Sequence, residues 1–169
     1  MNSILIIGQL LEAVATVEGR KKFQKLIHIL QHFGVPFGFR FGYLHYGPYS
    51  SELDSQLESF ESEGLIKEEA VSAGPYQSYR FTAQESLRSL VKKLVGVTPL
   101  EFAALAQELN AKSAQELEAI STIYYLQTSG KQGSELKASF CALKPKFASV
   151  YEERLKSARD LEKKHSKAA

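Results

Sequence analysis

Residues 46–66 read YGPYSSELDSQLESFESEGLI, and this stretch decides the fold. Gly47-Pro48-Tyr49-Ser50 is a turn, because glycine and proline interrupt regular structure and serine caps the N–H groups of a following helix. Leu53, Leu57 and Phe60 then recur at helical spacing, which predicts a helix over 51–63 that Gly64 closes. Beyond it, residues 65–71 and 77–82 read as two strands joined through Ser72-Ala73-Gly74-Pro75.

Working toward the N-terminus, residues 37–46 alternate well enough for an extended segment. A helix over 20–33 precedes it, stopped by Gly34 and Pro36, with Phe23, Leu26, Ile27 and Leu30 on one face. A first helix is expected over 3–16. Downstream, Thr82 is expected to cap a helix over 83–94 whose apolar face is Leu87, Leu90, Val91 and Leu94. The fold class is therefore mainly α with a small β-hairpin wing (α+β). It reads as a winged helix-turn-helix over 1–97, followed by a helical C-terminal extension over 98–169, with the boundary at Gly96 to Pro99.

The extension reads as helices over 100–109, 114–128 and 134–164. Ser113-x-x-Glu116 is a capping-box pattern, Gly130 to Gly133 forms a joint, and Pro145 should kink or divide the last helix. The tail from about 160 is expected to be flexible. Phe140, Leu143, Phe147, Val150 and Tyr151 make an amphipathic run that is ordinary core or, if too little domain surrounds it, a homodimer contact. Gly-Pro-Tyr occurs twice, at 47–49 and 74–76, in unlike contexts, and is read as coincidence.

Gly19-Arg20-Lys21-Lys22-Phe23-Gln24-Lys25-Leu26-Ile27, followed by Tyr46-Gly47-Pro48-Tyr49-Ser50, Leu53 and Gly64-Leu65-Ile66, resembles the YwgA-like winged-helix proteins. More distantly, the pattern resembles the Panacea-type antitoxin domains, with Phe23 where those often carry leucine. The resemblance covers residues 19–82. It implies a winged-helix fold and a regulatory or protein-binding role, and it supplies no catalytic residues.

Composition bounds the role. At 169 residues, 44% hydrophobic and 24% charged, the chain is globular rather than disordered. A formal charge of +2 leaves any electrostatic signal to its distribution. One cysteine, Cys141, excludes an intramolecular disulfide and a thiolate zinc cluster, and reads as an inert buried thiol. Ile4–Ile7 is too short for a membrane span or signal segment, so no membrane association and a cytoplasmic location are expected.

In a DNA-reading winged helix the third helix enters the major groove. Here the outward face of that helix is Ser51, Ser55, Ser59 and Ser62, flanked by carboxylates that include Glu52 and Glu58. Residues 48–70 hold one lysine against seven carboxylates, a net of −6. Phosphates are met by cations, so this face disfavours the usual docking pose and suits a basic protein partner. Positive charge gathers instead on the second helix, where Arg20, Lys21, Lys22, Lys25, His28 and His32 are read either as a solvated face or as a surface for duplex DNA or an acidic partner.

His28 and His32 have an i, i+4 metal-ligand spacing but lack the glutamate of the catalytic motif, so no metal site is assigned. Tyr43, His45, Tyr46 and Tyr49 either line a pocket or hold the turn against the core. No phosphate loop, nucleophile elbow or paired-carboxylate motif is present, and neither a cofactor nor enzymatic activity is expected. The sequence leads to a regulator with an atypical acidic recognition helix, with an adaptor or antitoxin-like module as the alternative.

Overall fold

A computed structural model describes residues 2–96 and 101–165. Helix α1 spans Ser3–Val14, and the Asn2 side chain accepts from the Ile4 N–H at its start. The chain then forms a short strand, β1 (Thr16–Glu18), where helix had been expected through residue 16. Helix α2 runs Arg20–His32. The stretch after it keeps the expected alternation: Val35, Phe37 and Phe39 are buried while Pro36, Gly38 and Arg40 are exposed. Regular pairing is confined to β2 (Gly42–Leu44) and β3 (Gly47–Tyr49), a tight hairpin with Tyr43 opposite Pro48.

Ser50 caps α3 (Ser51–Ser62) by accepting from the Leu53 N–H at 3.2 Å. Strands β4 (Ile66–Ala73) and β5 (Tyr76–Ala83) form the larger hairpin. β1 adds to the free side of β5, giving a three-stranded antiparallel sheet in the order β1-β5-β4. Helix α4 is Glu85–Leu94, and Gln84 is its N-cap. Thr82 does not cap it, because the strand pairing carries through Ala83 and Thr82 is already committed opposite Thr16 and Lys67.

The expected boundary at 97/98 lies at residues outside those described. After it come α5 (Ala103–Asn110) and α6 (Ala114–Thr128), the latter opened by a complete capping box between Ser113 and Glu116. α7 (Gly133–Leu143) is separated from α8 (Tyr151–Lys164) by a 3-10 segment, Pro145–Val150. Pro145 thus divides the long helix, as a residue without an N–H donor must.

These C-terminal helices are not an appendage. α5 lies on α1, and α6 lies on α2 with α7 and α8 over its other sides. Every residue from Leu117 to Tyr124 is buried, so α6 is a central helix and its polar members face protein rather than water. One continuous apolar cluster joins Leu10, Phe23, Leu53 and Phe81 to Ile120, Phe140 and Leu161. The run Phe140, Phe147 and Tyr151 is buried within this chain, leaving Leu143 as its exposed member. No helix among the described residues is long and apolar enough to cross a membrane.

Candidate functional site

The residues that carry the sequence signature meet in space. Gln24 of α2 donates from Nε2 to the Ser50 carbonyl and accepts the Ser50 N–H on Oε1, both at 2.9 Å. One residue on, Lys25 donates from Nζ to the Pro48 carbonyl at 2.6 Å. Two helical turns along, Gln31 repeats the arrangement with Phe39, donating to its carbonyl at 2.7 Å and accepting its N–H at 3.0 Å. α2 therefore grips the backbone of residues 39–50 as a neighbouring strand would.

Beneath this turn lies a buried charged cluster. Lys144 forms an ion pair with Glu118 of α6 at 2.5 Å and also donates to the His45 carbonyl at 3.0 Å. Gly47, with φ 90°, passes directly over it: a Cβ there would sit 3.2 Å from Thr122 Oγ1 and 3.7 Å from Lys25 Cε. Only glycine combines that backbone angle with so close an approach. Lys25 is 2% exposed, and burial, opposed by Glu118, pushes its ammonium down to about 8.

Of the six residues expected to form a basic surface on α2, one stays open. Lys21 is exposed and places Nζ 3.2 Å above the centroid of the Tyr46 ring. Arg20 is met by Glu68, Glu58 and Asp54 at 2.9, 3.2 and 3.3 Å, so the basic end of α2 pairs with the acidic α3 of the same chain. The Glu68 hydrogen bond, foremost, raises its affinity for the proton. Lys22 is half-buried and donates to the Asn110 carbonyl at 2.6 Å, and burial lowers its pKa.

Lys25 is the buried turn clamp just described. His28 shares a 2.7 Å hydrogen bond between Nδ1 and Ser121 Oγ, and burial pushes it down to about 3, leaving a neutral imidazole. His32 stacks on Tyr124, centroids 4.1 Å apart, with Nε2 3.5 Å from Glu162. The surface expected from Lys25, His28 and His32 is corrected: that face of α2 packs against α6. Among the described residues, no group of three or more His, Cys, Asp or Glu is placed to hold a metal ion.

The α3 face is where it was expected. Ser51, Glu52, Ser55, Glu58, Ser59 and Ser62 are all exposed, as is Glu63. Two of these serines are tied locally: Ser59 donates to Glu63, and Ser62 donates to the Ser59 carbonyl, both at 2.8 Å. Sequence reasoning missed the buried cluster of Glu118, Thr122 and Lys144. The signal for it was the α6 segment itself, where apolar residues are spread around the helix with no separate polar face, so its polar members need partners inside the protein.

Beside Lys21, a cavity of about 310 Å³ opens between α2 and the β2–β3 turn, lined in part by Gln24, Lys25, Leu44, Tyr46 and Asp54. A second, of about 440 Å³, lies over His28, His32, Phe41 and Tyr125.

No family model and no solved structure matches the chain. It is similar to uncharacterized protein YwgA of Bacillus subtilis (strain 168), with 31% identity over 135 residues, covering 80% of each chain. On a match of this identity and extent the chain belongs to the YwgA family.

Proposed function

We propose that this protein is a non-enzymatic interaction module on a winged-helix scaffold, which offers the outer face of α3 to a basic protein partner. The scaffold reading is supported by the order of α2, α3, the β4–β5 hairpin and α4, and by β1 completing the small sheet. The observation that carries the functional reading is the pairing of Arg20 with Asp54, Glu58 and Glu68. It uses the main cation near α3 internally, while Glu52, Glu63 and the serine row stay exposed. A surface of that sign repels phosphate and attracts Lys- and Arg-bearing partners.

A transcriptional regulator is the second reading, and one observation favours it. Arg88, Lys92 and Lys93 are exposed on α4 and have no ion-pair partner among the described residues. In that reading α4, rather than α3, meets the DNA backbone.

One titration pair separates the two. Mobility shift on random duplex DNA over a salt series is expected to show no binding even at low salt. NMR titration with a lysine-rich peptide is expected to shift signals over residues 51–63, with the shifts lost in Glu52→Lys/Glu63→Lys. Salt-steep DNA binding abolished by Lys92→Glu/Lys93→Glu would overturn the adaptor reading in favour of the regulator.

A further inference from the structure

The wall of the 310 Å³ cavity carries two ammonium groups that no carboxylate among the described residues meets in an ion pair. Arg20 is already surrounded by three carboxylates, and Asp54, the acid in that wall, is taken by Arg20 and by the Tyr49 hydroxyl at 3.2 Å. Glu118 is paired with Lys144. Lys21 and Lys25, one helical turn apart, have no ion-pair partner among the described residues.

Lys25 is the sharper case. An ammonium has three N–H donors, and among the described residues this one spends a single donor, on the Pro48 carbonyl, although its side chain is almost fully buried. A buried charge with open donors is costly unless something fills them. At the mouth, Leu44 is 56% and Tyr46 45% exposed, an apolar and aromatic rim that the described residues leave uncovered.

We propose that this cavity binds a small organic carboxylate, its acid group taken by Lys21 and Lys25 and its apolar body laid against Leu44 and the Tyr46 ring. The volume lies at the lower end of ligand pockets, which run from about 300 Å³ upward, and so fits a small ring or short chain. A doubly charged phosphate is disfavoured by the Asp54 carboxylate in the wall and by the apolar rim. A nucleic acid is disfavoured by the adjacent α3 carboxylates. The Lys21 ammonium rests on Tyr46 where the ligand body belongs, and binding swings it to the carboxylate.

The test is isothermal titration of the full chain with sodium acetate, benzoate and phenylacetate, with benzamide as the neutral isostere and inorganic phosphate as the competing anion. One-to-one binding of benzoate or phenylacetate is expected, with benzamide and phosphate silent. Because Lys25 is pushed down to about 8, binding at pH 8 should draw in a proton, so the heat should differ between Tris and HEPES buffers. Lys21→Gln, at an exposed position that leaves the fold alone, should weaken binding by about tenfold, the effect of losing one charge-assisted contact. Leu44→Asp should abolish it.

Failure of all three carboxylates at millimolar concentration overturns the proposal. So does benzamide binding as well as benzoate, phosphate binding in their place, or affinity unchanged by Lys21→Gln. None of these variants touches α3, so the result stands or falls separately from the adaptor reading.

Discussion

Gln24 and Ser50, 26 positions apart in sequence, hold each other by a reciprocal pair of 2.9 Å hydrogen bonds that fixes the start of α3 against α2. The Ser50 N–H has no other backbone role, since Ser50 caps the helix through its side chain and its carbonyl. Gln24→Met keeps the volume and removes both bonds, leaving that buried donor unmet. Chemical denaturation is expected to show a loss of about 1–3 kcal/mol, the cost of one unsatisfied buried group. A loss within a few tenths would show that the clamp contributes little to stability.

At Gly8, α1 packs tightly against α4. A Cβ at that position would stand 2.5 Å from Val91 Cγ2 and 3.1 Å from Leu87 Cδ1. Gly8→Ala should therefore destabilise by about 1–3 kcal/mol despite alanine's better helix propensity, because the core has no room to yield. The same change in a Val91→Ala background should cost markedly less, and a double-mutant cycle measures the difference. Additive costs would refute the steric account.

Glu118 and Lys144 are 8% and 3% exposed at their side chains, so each depends on the other. Lys144→Met alone leaves a buried carboxylate and should cost about 3–5 kcal/mol in thermal or chemical unfolding. Replacing both, as Glu118→Leu/Lys144→Met, should recover much of that loss. Equal losses from the single and double variants would mean that the pair's other bonds, including Lys144 to the His45 carbonyl, dominate instead.

Acid sensitivity should trace to His28. Its folded pKa, near 3, lies below its unfolded value of about 6.5 because burial disfavours the charged ring, with His32 and Lys25 adding to the effect. Between those values the unfolded chain holds a proton that the folded chain does not. His28 therefore supports the fold fully above pH 6.5, and that support falls by about 1.4 kcal/mol per pH unit as pH drops toward 3. His28→Asn should flatten this part of a stability–pH curve relative to the parent.

Lys25 acts at the other end with the same sign. Its pKa falls from 10.5 unfolded to about 8 folded, so stability from this group rises as pH climbs between those values. Lys25→Met should remove that rise. A parent curve flat from pH 8 to 10 would contradict the burial of a protonated amine.

The helices and the hairpin were largely legible because their signals are local. Leu53, Leu57 and Phe60 announce α3, Ser113 and Glu116 cap α6, and Pro145 breaks the last helix whatever surrounds it. The outward face of α3 was legible for the same reason: its serines and carboxylates have no neighbour that reverses the inference from spacing. β1 was not, since Thr16–Glu18 becomes a strand only because β5 lies alongside it. Nor was the N-cap of α4, which depends on how far that pairing extends.

The fate of the basic face of α2 shows where sequence reading ends. Periodicity correctly placed Lys25, His28 and His32 on the side opposite Phe23 and Leu30, but opposite the first core face is not the same as exposed. α6, some ninety residues later, brings Glu118, Ser121 and Tyr124 to that side and supplies the partners a polar group requires on leaving water. By itself the sequence determined the elements, their caps and the acidic surface of α3, all of which rest on contacts within a few residues. Which cations face solvent, and that a charged cluster lies under Gly47 and Pro48, was decided only by tertiary packing. The energy that buries a charge comes from groups distant in the chain, and no local pattern records their arrival.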